Sequence, residues 1–152
     1  LAALSGEAPV ALTLSQGITL QAGTASGIVA GGNLTCLCHL LGTRFQPRFD
    51  GRLVFLEDRG EAPYRIDRML TQMLQAGCLQ GLAGVVLGHF TACGAPQAVL
   101  EVFRERLGGH GVPILAGLEA GHEQRNLPLP LGLEAVLDAD ARTLRYRLPV
   151  VA

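Results

Sequence analysis

Apolar and polar positions alternate over short stretches near the start of the chain, and glycine separates these stretches. This alternation is typical of half-buried strands. Residues 10–14 and 18–20 flank Gln16-Gly17 and predict a β-hairpin, and residues 27–30 predict another short strand. The chain is therefore expected to begin with β-structure.

The spacing of apolar residues becomes helical over residues 33–41. Asn33 is a good N-cap, because its side-chain oxygen can accept a hydrogen bond from a free backbone N–H in the first turn. Gly42 is a typical residue for ending the helix. The apolar face expected to enter the core consists of Leu34, Leu37, Leu40 and Leu41.

Strand and helix patterns then alternate through the middle of the chain, as in a βαβ fold. A final pair of strands, residues 135–137 and 143–147, flanks the turn-forming Asp138-Ala139-Asp140 and predicts a closing hairpin. The elements predicted before that hairpin are a strand over residues 52–56, a helix through Ile66, Met69, Leu70, Met73 and Leu74 that ends before Gly77, a strand over 82–87, a helix over 96–107 and a strand over 113–116. The fold class expected is α/β, with a small mixed sheet and flanking helices. Because no internal repeat or linker is visible, residues 1–152 are expected to form a single domain.

Composition narrows the partners and the chemistry. The 152 residues are 49% hydrophobic and carry a formal net charge of −1. Scattered charge of this kind favours neither nucleic acid nor an anionic membrane as a partner. Every basic residue is arginine, so this polypeptide offers no lysine for Schiff-base chemistry. The sequence lacks a signal-peptide pattern and a long apolar run, which favours a cytoplasmic protein. It begins at Leu1, so further residues are expected upstream in the natural protein.

Glu57 and His122 are the candidate catalytic residues. Each follows a strand-like segment and is expected in a loop, which is where α/β proteins often place ligand-binding groups. A carboxylate that accepts one imidazole N–H leaves the other ring nitrogen free to take a proton from a hydroxyl nucleophile. Two other interpretations remain open. Glu57 can cap the following helix, and His122 can be an ordinary solvated loop residue.

Other polar residues have simpler interpretations. Cys36, Cys38 and His39 raise the question of a metal, but Cys-x-Cys on a helix directs its thiols about 200° apart. Buried free thiols are expected for all four cysteines, packing roles for His89 and Cys93, and solvent exposure for His110. No metal site is predicted.

Two further features of the sequence are typical of binding sites. Gly31-Gly32-Asn33 resembles a phosphate-binding loop only loosely and matches neither nucleotide fingerprint, so no cofactor is expected. We interpret it as the start of a helix that faces the cleft. Arg65, Asp67 and Arg68 lie on the predicted helix after Glu57 and belong either to a solvated helix face or to a domain or dimer contact. Glu61 either caps that helix or shapes the site.

Four segments resemble, in the same order, the C-terminal motifs of the LD-carboxypeptidases, the serine peptidase family that includes the microcin C immunity proteins. The segment at residues 53–77, LVFLEDRGEAPYRIDRMLTQMLQAG, resembles the family's central motif. The other three are GGNLTCLCHLLGT at 31–43, VVLGHFTACG at 85–94 and PILAGLEAGHEQRNLPLPLG at 113–132.

The resemblance implies a swivelling β/β/α domain from a two-domain cytoplasmic enzyme. Such an enzyme hydrolyses an L-to-D amide bond and releases terminal D-alanine from murein tetrapeptides during cell-wall recycling. The family's glutamate and histidine map to Glu57 and His122, whereas its serine and oxyanion hole belong to an N-terminal domain that this chain lacks. Ser5, Ser15 and Ser26 are the only serines, and none lies in a Gly-x-Ser-x-Gly elbow.

The chain alone is therefore expected to be inactive, with the N-terminal domain and a muropeptide or peptide as partners and a homodimer as the assembly. Two alternatives remain open. One is a microcin C-type immunity peptidase. The other is a non-catalytic binding or dimerisation module with the same fold.

Overall fold

The described part of the chain contains eight strands and three α-helices, and strands and helices alternate only in its middle. The structure is a computed structural model, and it describes residues 10–147. The strands are β1 (Ala11–Thr13), β2 (Ile18–Gln21), β3 (Thr24–Asn33), β4 (Arg52–Arg59), β5 (Gly84–Thr91), β6 (Ile114–Ala116), β7 (Glu134–Asp138) and β8 (Thr143–Tyr146), and the helices are α1 (Leu34–His39), α2 (Pro63–Gln75) and α3 (Pro96–Leu107). The α/β fold class predicted from the sequence is confirmed.

All eight strands belong to one mixed sheet, in the order β1-β8-β7-β3-β4-β5-β6-β2. Its centre, β3 to β6, is parallel, and the remaining pairs are antiparallel. The two edge strands, β1 and β2, are consecutive in the chain. Because the five steps from Thr13 to Ile18 span at most about 18 Å, the sheet must curl until its two edges lie close together.

The predicted hairpin between residues 10–14 and 18–20 is wrong. Both strands exist, but β1 pairs with β8 and β2 pairs with β6. A turn does form, since Gly17 N–H donates to the Leu14 carbonyl oxygen at 2.8 Å. Alternating hydrophobicity indicates which face of a strand is buried, whereas it does not identify the neighbouring strand. Here β1 and β2 form the two opposite edges of the sheet.

Curling of the sheet produces two hydrophobic cores. The concave core includes Leu53, Phe55, Val86 and Leu144. The other core lies between the convex face and the helices, and it contains the intervening β4 residues Val54 and Leu56 together with the buried faces of α2 and α3. Successive residues of a strand therefore face different cores, as the period of two requires.

Most of the other predicted elements are confirmed. The carboxamide oxygen of Asn33 accepts a hydrogen bond from Cys36 N–H at 3.0 Å, so this residue caps α1 as predicted. The helix predicted at residues 96–107 has the predicted bounds, β4 to β6 form the parallel series, and β7 and β8 form the closing hairpin.

Strand β3 is longer than predicted, because two glycines allow it to continue to the start of α1. A β-carbon on Gly31 would lie 2.0 Å from the Phe55 carbonyl oxygen, and the φ of Gly31 is +130°. The absence of a side chain allows β3 to approach β4 closely at this point. As a result, Asn33 lies opposite Glu57 in the ladder.

No helix within residues 10–147 combines the length and apolar character needed to cross a lipid bilayer.

Candidate active site

Glu57 lies within strand β4 and not in a loop, which corrects the sequence-based expectation. The strand continues to Arg59, and Glu57 is only 6% exposed. Glu57 faces away from the helices, since its neighbours Leu56 and Asp58 face them. A carboxylate this deeply buried requires a polar partner, because an unpaired buried charge is costly.

His122 provides that partner. Its Nδ1 lies 2.7 Å from Glu57 Oε2. The histidine is in the loop after β6, and its side chain is 47% exposed whereas that of Glu57 is 7% exposed. The carboxylate accepts the Nδ1 hydrogen, so Nε2 remains on the accessible side of the pair to accept or donate a proton. The two residues nominated from the sequence, 65 positions apart, are therefore brought together.

Gly121 permits this close approach. Its φ is +130°, and a β-carbon at this position would lie 2.9 Å from Glu57 Oε2. Two hydrogen bonds hold the loop against β5, from His89 N–H to the Ala120 carbonyl oxygen at 2.9 Å and from Thr91 Oγ1 to the His122 carbonyl oxygen at 3.3 Å. The loop backbone is thus anchored on both sides of Gly121.

A β-bulge lies opposite Glu57. In the ladder between β4 and β5, Leu56 lies opposite Leu87. The next pair joins Asp58 to Phe90, so β5 has one more residue than β4 between the two pairs. Bulges often redirect side chains beside functional sites. In this strand the extra residue places two positions of β5 opposite Glu57.

Asp58, the acid next to Glu57, has a different role. It is 2% exposed and points toward α1. Its carboxylate accepts hydrogen bonds from Asn33 Nδ2 at 3.1 Å, Thr35 N–H at 2.9 Å, Thr35 Oγ1 at 2.8 Å and Arg59 N–H at 2.7 Å. Four donors account for this buried charge and attach the first turn of α1 to β4. Asp58 therefore supports the strand that carries Glu57.

The serines do not complete the pair within the described residues. Ser26 is an exposed residue near the start of β3, opposite Val136. Ser15 is in the turn between β1 and β2, and Ser5 is outside the described residues. Neither Ser15 nor Ser26 is hydrogen bonded to His122.

The cysteines are free thiols. Cys38, Cys78 and Cys93 are buried as expected, whereas Cys36 is exposed, so the expectation of a buried thiol is wrong for Cys36. Burial raises the pKa of Cys38 to about 11, with further contributions from Cys78 and Asp58, and burial also raises the pKa of Cys78 and of Cys93. In the part of the chain from 10 to 147, no cluster of three or more histidine, cysteine or acidic side chains could hold a metal ion.

The charged face of α2 contacts α3. Arg106 of α3 pairs with Asp67, and Arg65 pairs with Glu61 at 3.4 Å. Arg65 and Arg68 lie over the ring of Tyr64 at 5.9 and 5.1 Å from its centre. Among the described residues, neither this group nor the exposed His110 forms a hydrogen bond or ion pair with Glu57 or His122.

Sequence reasoning did not assign a site role to His89. This residue lines a cavity, and Gly121 lies between its Cβ and the Glu57 carboxylate. The sequence predicts a packing role for His89 within a strand, and the residue does lie in strand β5. The bulge that redirects His89 depends on how β4 and β5 are aligned. No pattern within one strand reveals that alignment.

Residues 26–137 match the model of the LD-carboxypeptidase C-terminal domain. A putative carboxypeptidase from Synechocystis is 45% identical over 135 residues, which cover 86% of this chain and 45% of the relative. A probable murein peptide carboxypeptidase from Bacillus subtilis is 34% identical over 129 residues, covering 82% and 40%. The chain belongs to the LD-carboxypeptidase family and corresponds to its C-terminal domain.

Solved structures agree with this assignment. The muramoyltetrapeptide carboxypeptidase from Oxalobacter formigenes superposes with a TM-score of 0.75 at 31% identity, covering 95% of this chain and 51% of that protein. The microcin C7 self-immunity protein MccF in complex with glutamyl sulfamoyl guanosine superposes with a TM-score of 0.77 at 26% identity, covering 90% and 42%. The chain spans about half the length of the curated relatives it matches.

Proposed function

We propose that this chain is the C-terminal part of a serine LD-carboxypeptidase that releases terminal D-alanine from murein tetrapeptides. The main support is the 2.7 Å contact between His122 Nδ1 and Glu57 Oε2 in a domain of this family. The carboxylate is buried and the histidine is half-exposed. A catalytic triad needs this arrangement, because the acid that orients the histidine is shielded from water while the histidine can reach the substrate.

Each residue of the pair has a distinct role in the proposed mechanism. Glu57 accepts the Nδ1 hydrogen and fixes the tautomer, so Nε2 of His122 is the general base. Nε2 takes the proton as the serine oxygen bonds to the amide carbon. The resulting imidazolium then donates that proton to the leaving amine of D-alanine, and the carbon–nitrogen bond breaks. A water molecule repeats the sequence on the acyl-enzyme, which restores the serine and frees the shortened peptide.

The nucleophile and the oxyanion hole are assigned to a domain upstream of this chain. Ser15 and Ser26, the two described serines, are not hydrogen bonded to His122, and the relatives are about twice as long as this chain. On this proposal the chain alone is inactive, and the complete protein works in the cytoplasm as a homodimer.

A second substrate class has specific support. The microcin C7 self-immunity protein of Escherichia coli is 29% identical over 126 residues. A peptide-antibiotic conjugate is therefore the alternative substrate, whereas the 34% identical murein peptide carboxypeptidase of Bacillus subtilis favours a muropeptide. If neither class is hydrolysed, the domain is a non-catalytic binding or dimerisation module.

The test is D-alanine release from a muramoyl tetrapeptide, measured for this chain alone and for the chain with its natural upstream sequence. We expect release only from the longer protein. A peptide-antibiotic conjugate is tested in parallel to separate the two substrate classes. If the longer protein hydrolyses neither substrate, the peptidase proposal is wrong.

A further inference from the structure

A second histidine, His89, faces the same side of the sheet as Glu57. Without the extra residue in β5, His89 would lie opposite Asp58 on the face that the helices cover. The bulge turns it to the other face. A β-carbon on Gly121 would lie 2.9 Å from Glu57 Oε2 and 3.3 Å from His89 Cβ, so this glycine lies between the two side chains. His89 is therefore beside the catalytic pair without belonging to it.

The imidazole of His89 has one enclosed nitrogen. Nδ1 is buried and has no hydrogen-bond partner among residues 10–147. A hydrogen on Nδ1 would be a buried donor without an acceptor, so the neutral ring carries its hydrogen on Nε2. His89 lines a cavity, and of its two ring nitrogens only Nδ1 is buried without a partner. His89 thus provides an N–H donor from Nε2.

The cavity has a volume of about 450 Å³. It lies where the carboxyl ends of β5 and β6 meet β1 and the turn that follows it. Residues 11–16 line one side, and His89 and residues from the loop after β6 line the other. Ligand pockets usually measure about 300–1,000 Å³, and α/β folds bind ligands at this end of their parallel strands. The cavity is large enough for one amino-acid residue of a peptide.

Arg125 provides a second donor in the cavity wall. Its Nε donates to Glu119 Oε2 at 2.8 Å, and its side chain is 76% exposed. This bond uses one edge of the guanidinium, and the terminal nitrogens retain N–H groups for a second carboxylate. Glu119 offsets part of the positive charge, so the contribution of Arg125 is expected to be moderate.

We propose that this cavity binds the C-terminal D-residue of the peptide substrate, with its free carboxylate held by His89 Nε2–H and Arg125. The proposal rests on the peptidase function proposed above. An enzyme that removes only a terminal residue must distinguish a free carboxylate from an internal amide, and buried or convergent donors achieve that distinction. His89 lines the cavity, and Gly121 lies between His89 and Glu57. The proposal therefore places the scissile amide on the His89 side of the cavity, toward the Glu57–His122 pair.

Direct binding tests the cavity without requiring catalysis. N-acetyl-D-alanine and N-acetyl-D-alaninamide, which differ only in the carboxylate, are titrated into this chain while the histidine ring signals are followed by NMR. Loss of a signal in His89→Gln identifies the His89 ring. We expect the acid to shift that signal and the amide to leave it unchanged. Arg125→Gln weakens binding of the acid about ten-fold. Arg104→Gln is the matched control, since Arg104 is paired with Glu101 on the surface of α3.

Kinetics supply the second measurement, on the chain with its upstream sequence. The kcat/KM for a tetrapeptide ending in D-alanine is compared with that for the same peptide ending in D-alaninamide. Wild type prefers the acid, and His89→Gln and Arg125→Gln each reduce that preference about ten-fold. A general packing defect would slow both substrates equally.

The two proposals fail in different ways. If acid and amide shift the His89 signal equally, or if the acid shifts nothing, the carboxylate site is wrong. It is also wrong if D-alanine is released but both variants keep the wild-type preference. If wild type releases no D-alanine while the acid alone still shifts the His89 signal, the peptidase function is wrong and the carboxylate site is retained.

Discussion

Gly121 controls how closely the histidine loop approaches Glu57. An added methyl group would lie 2.9 Å from Glu57 Oε2 and 3.3 Å from His89 Cβ, at a φ of +130° that other residues rarely adopt. In Gly121→Ala the loop must move, and a displacement of about 1 Å is enough to reduce catalysis about 100-fold.

The measurement for Gly121→Ala is kcat for D-alanine release, with the unfolding temperature recorded alongside. Gly109→Ala is the control, because a β-carbon at Gly109 meets nothing within 4 Å. Wild-type kcat in Gly121→Ala would contradict the geometric argument.

Asp58 contributes to stability at the same scale. Its buried carboxylate accepts four hydrogen bonds, including two from Thr35. In Asp58→Asn an amide group replaces one oxygen and faces N–H and O–H donors, so the free energy of unfolding is expected to fall by about 2–4 kcal/mol. Urea denaturation measures this change, with the exposed Asp50→Asn as control. A loss as small as that of the control would show that the network adds little.

At the scale of elements, α1 places one of its two cysteines in solvent and the other in the core. Cys36 is exposed, and Cys38 faces the core with a pKa of about 11, raised by burial and by its neighbours Cys78 and Asp58. A raised pKa lowers the thiolate fraction at pH 8, and the thiolate is the reactive form. Iodoacetamide at pH 8 is therefore expected to label Cys36 alone in the folded chain.

Mass spectrometry of the labelled peptides checks the cysteine prediction, and labelling in denaturant provides the control in which all four react. Rapid labelling of Cys38 in the native protein would show that α1 opens easily.

The raised pKa of Cys38 also affects stability. Above pH 9 the unfolded state loses the Cys38 thiol proton before the folded state does, so the free energy of unfolding falls as the pH rises.

The elements were predictable where the information is local. Pro96 and the apolar spacing after it define α3, and the side chain of Asn33 defines the start of α1. Pairing between distant strands was not predictable. Periodicity cannot show that β1 and β2 join opposite edges of the sheet, or that β5 has a bulge opposite Glu57.

At the scale of the whole molecule, the chain contributes one half of a proposed composite site. Glu57 and His122 are candidates from their positions after strand-like segments, and the family resemblance points to the same two residues. Their position on one side of the sheet depends on β4, β6 and the loop between β6 and β7. Composition and periodicity alone would not have selected this pair among the other acids and histidines. The relatives are about twice as long, and the proposed function assigns the nucleophile to a part of the protein upstream of this chain.

The most direct test of the account is a double-mutant cycle in the chain with its natural upstream sequence. D-alanine release is measured for Glu57→Gln, His122→Ala and the double variant. If the pair acts as one unit, each single change lowers kcat about 1,000- to 10,000-fold, and the double variant is no worse than the poorer single variant. Activity within about ten-fold of wild type in either single variant would contradict the proposed role of the pair.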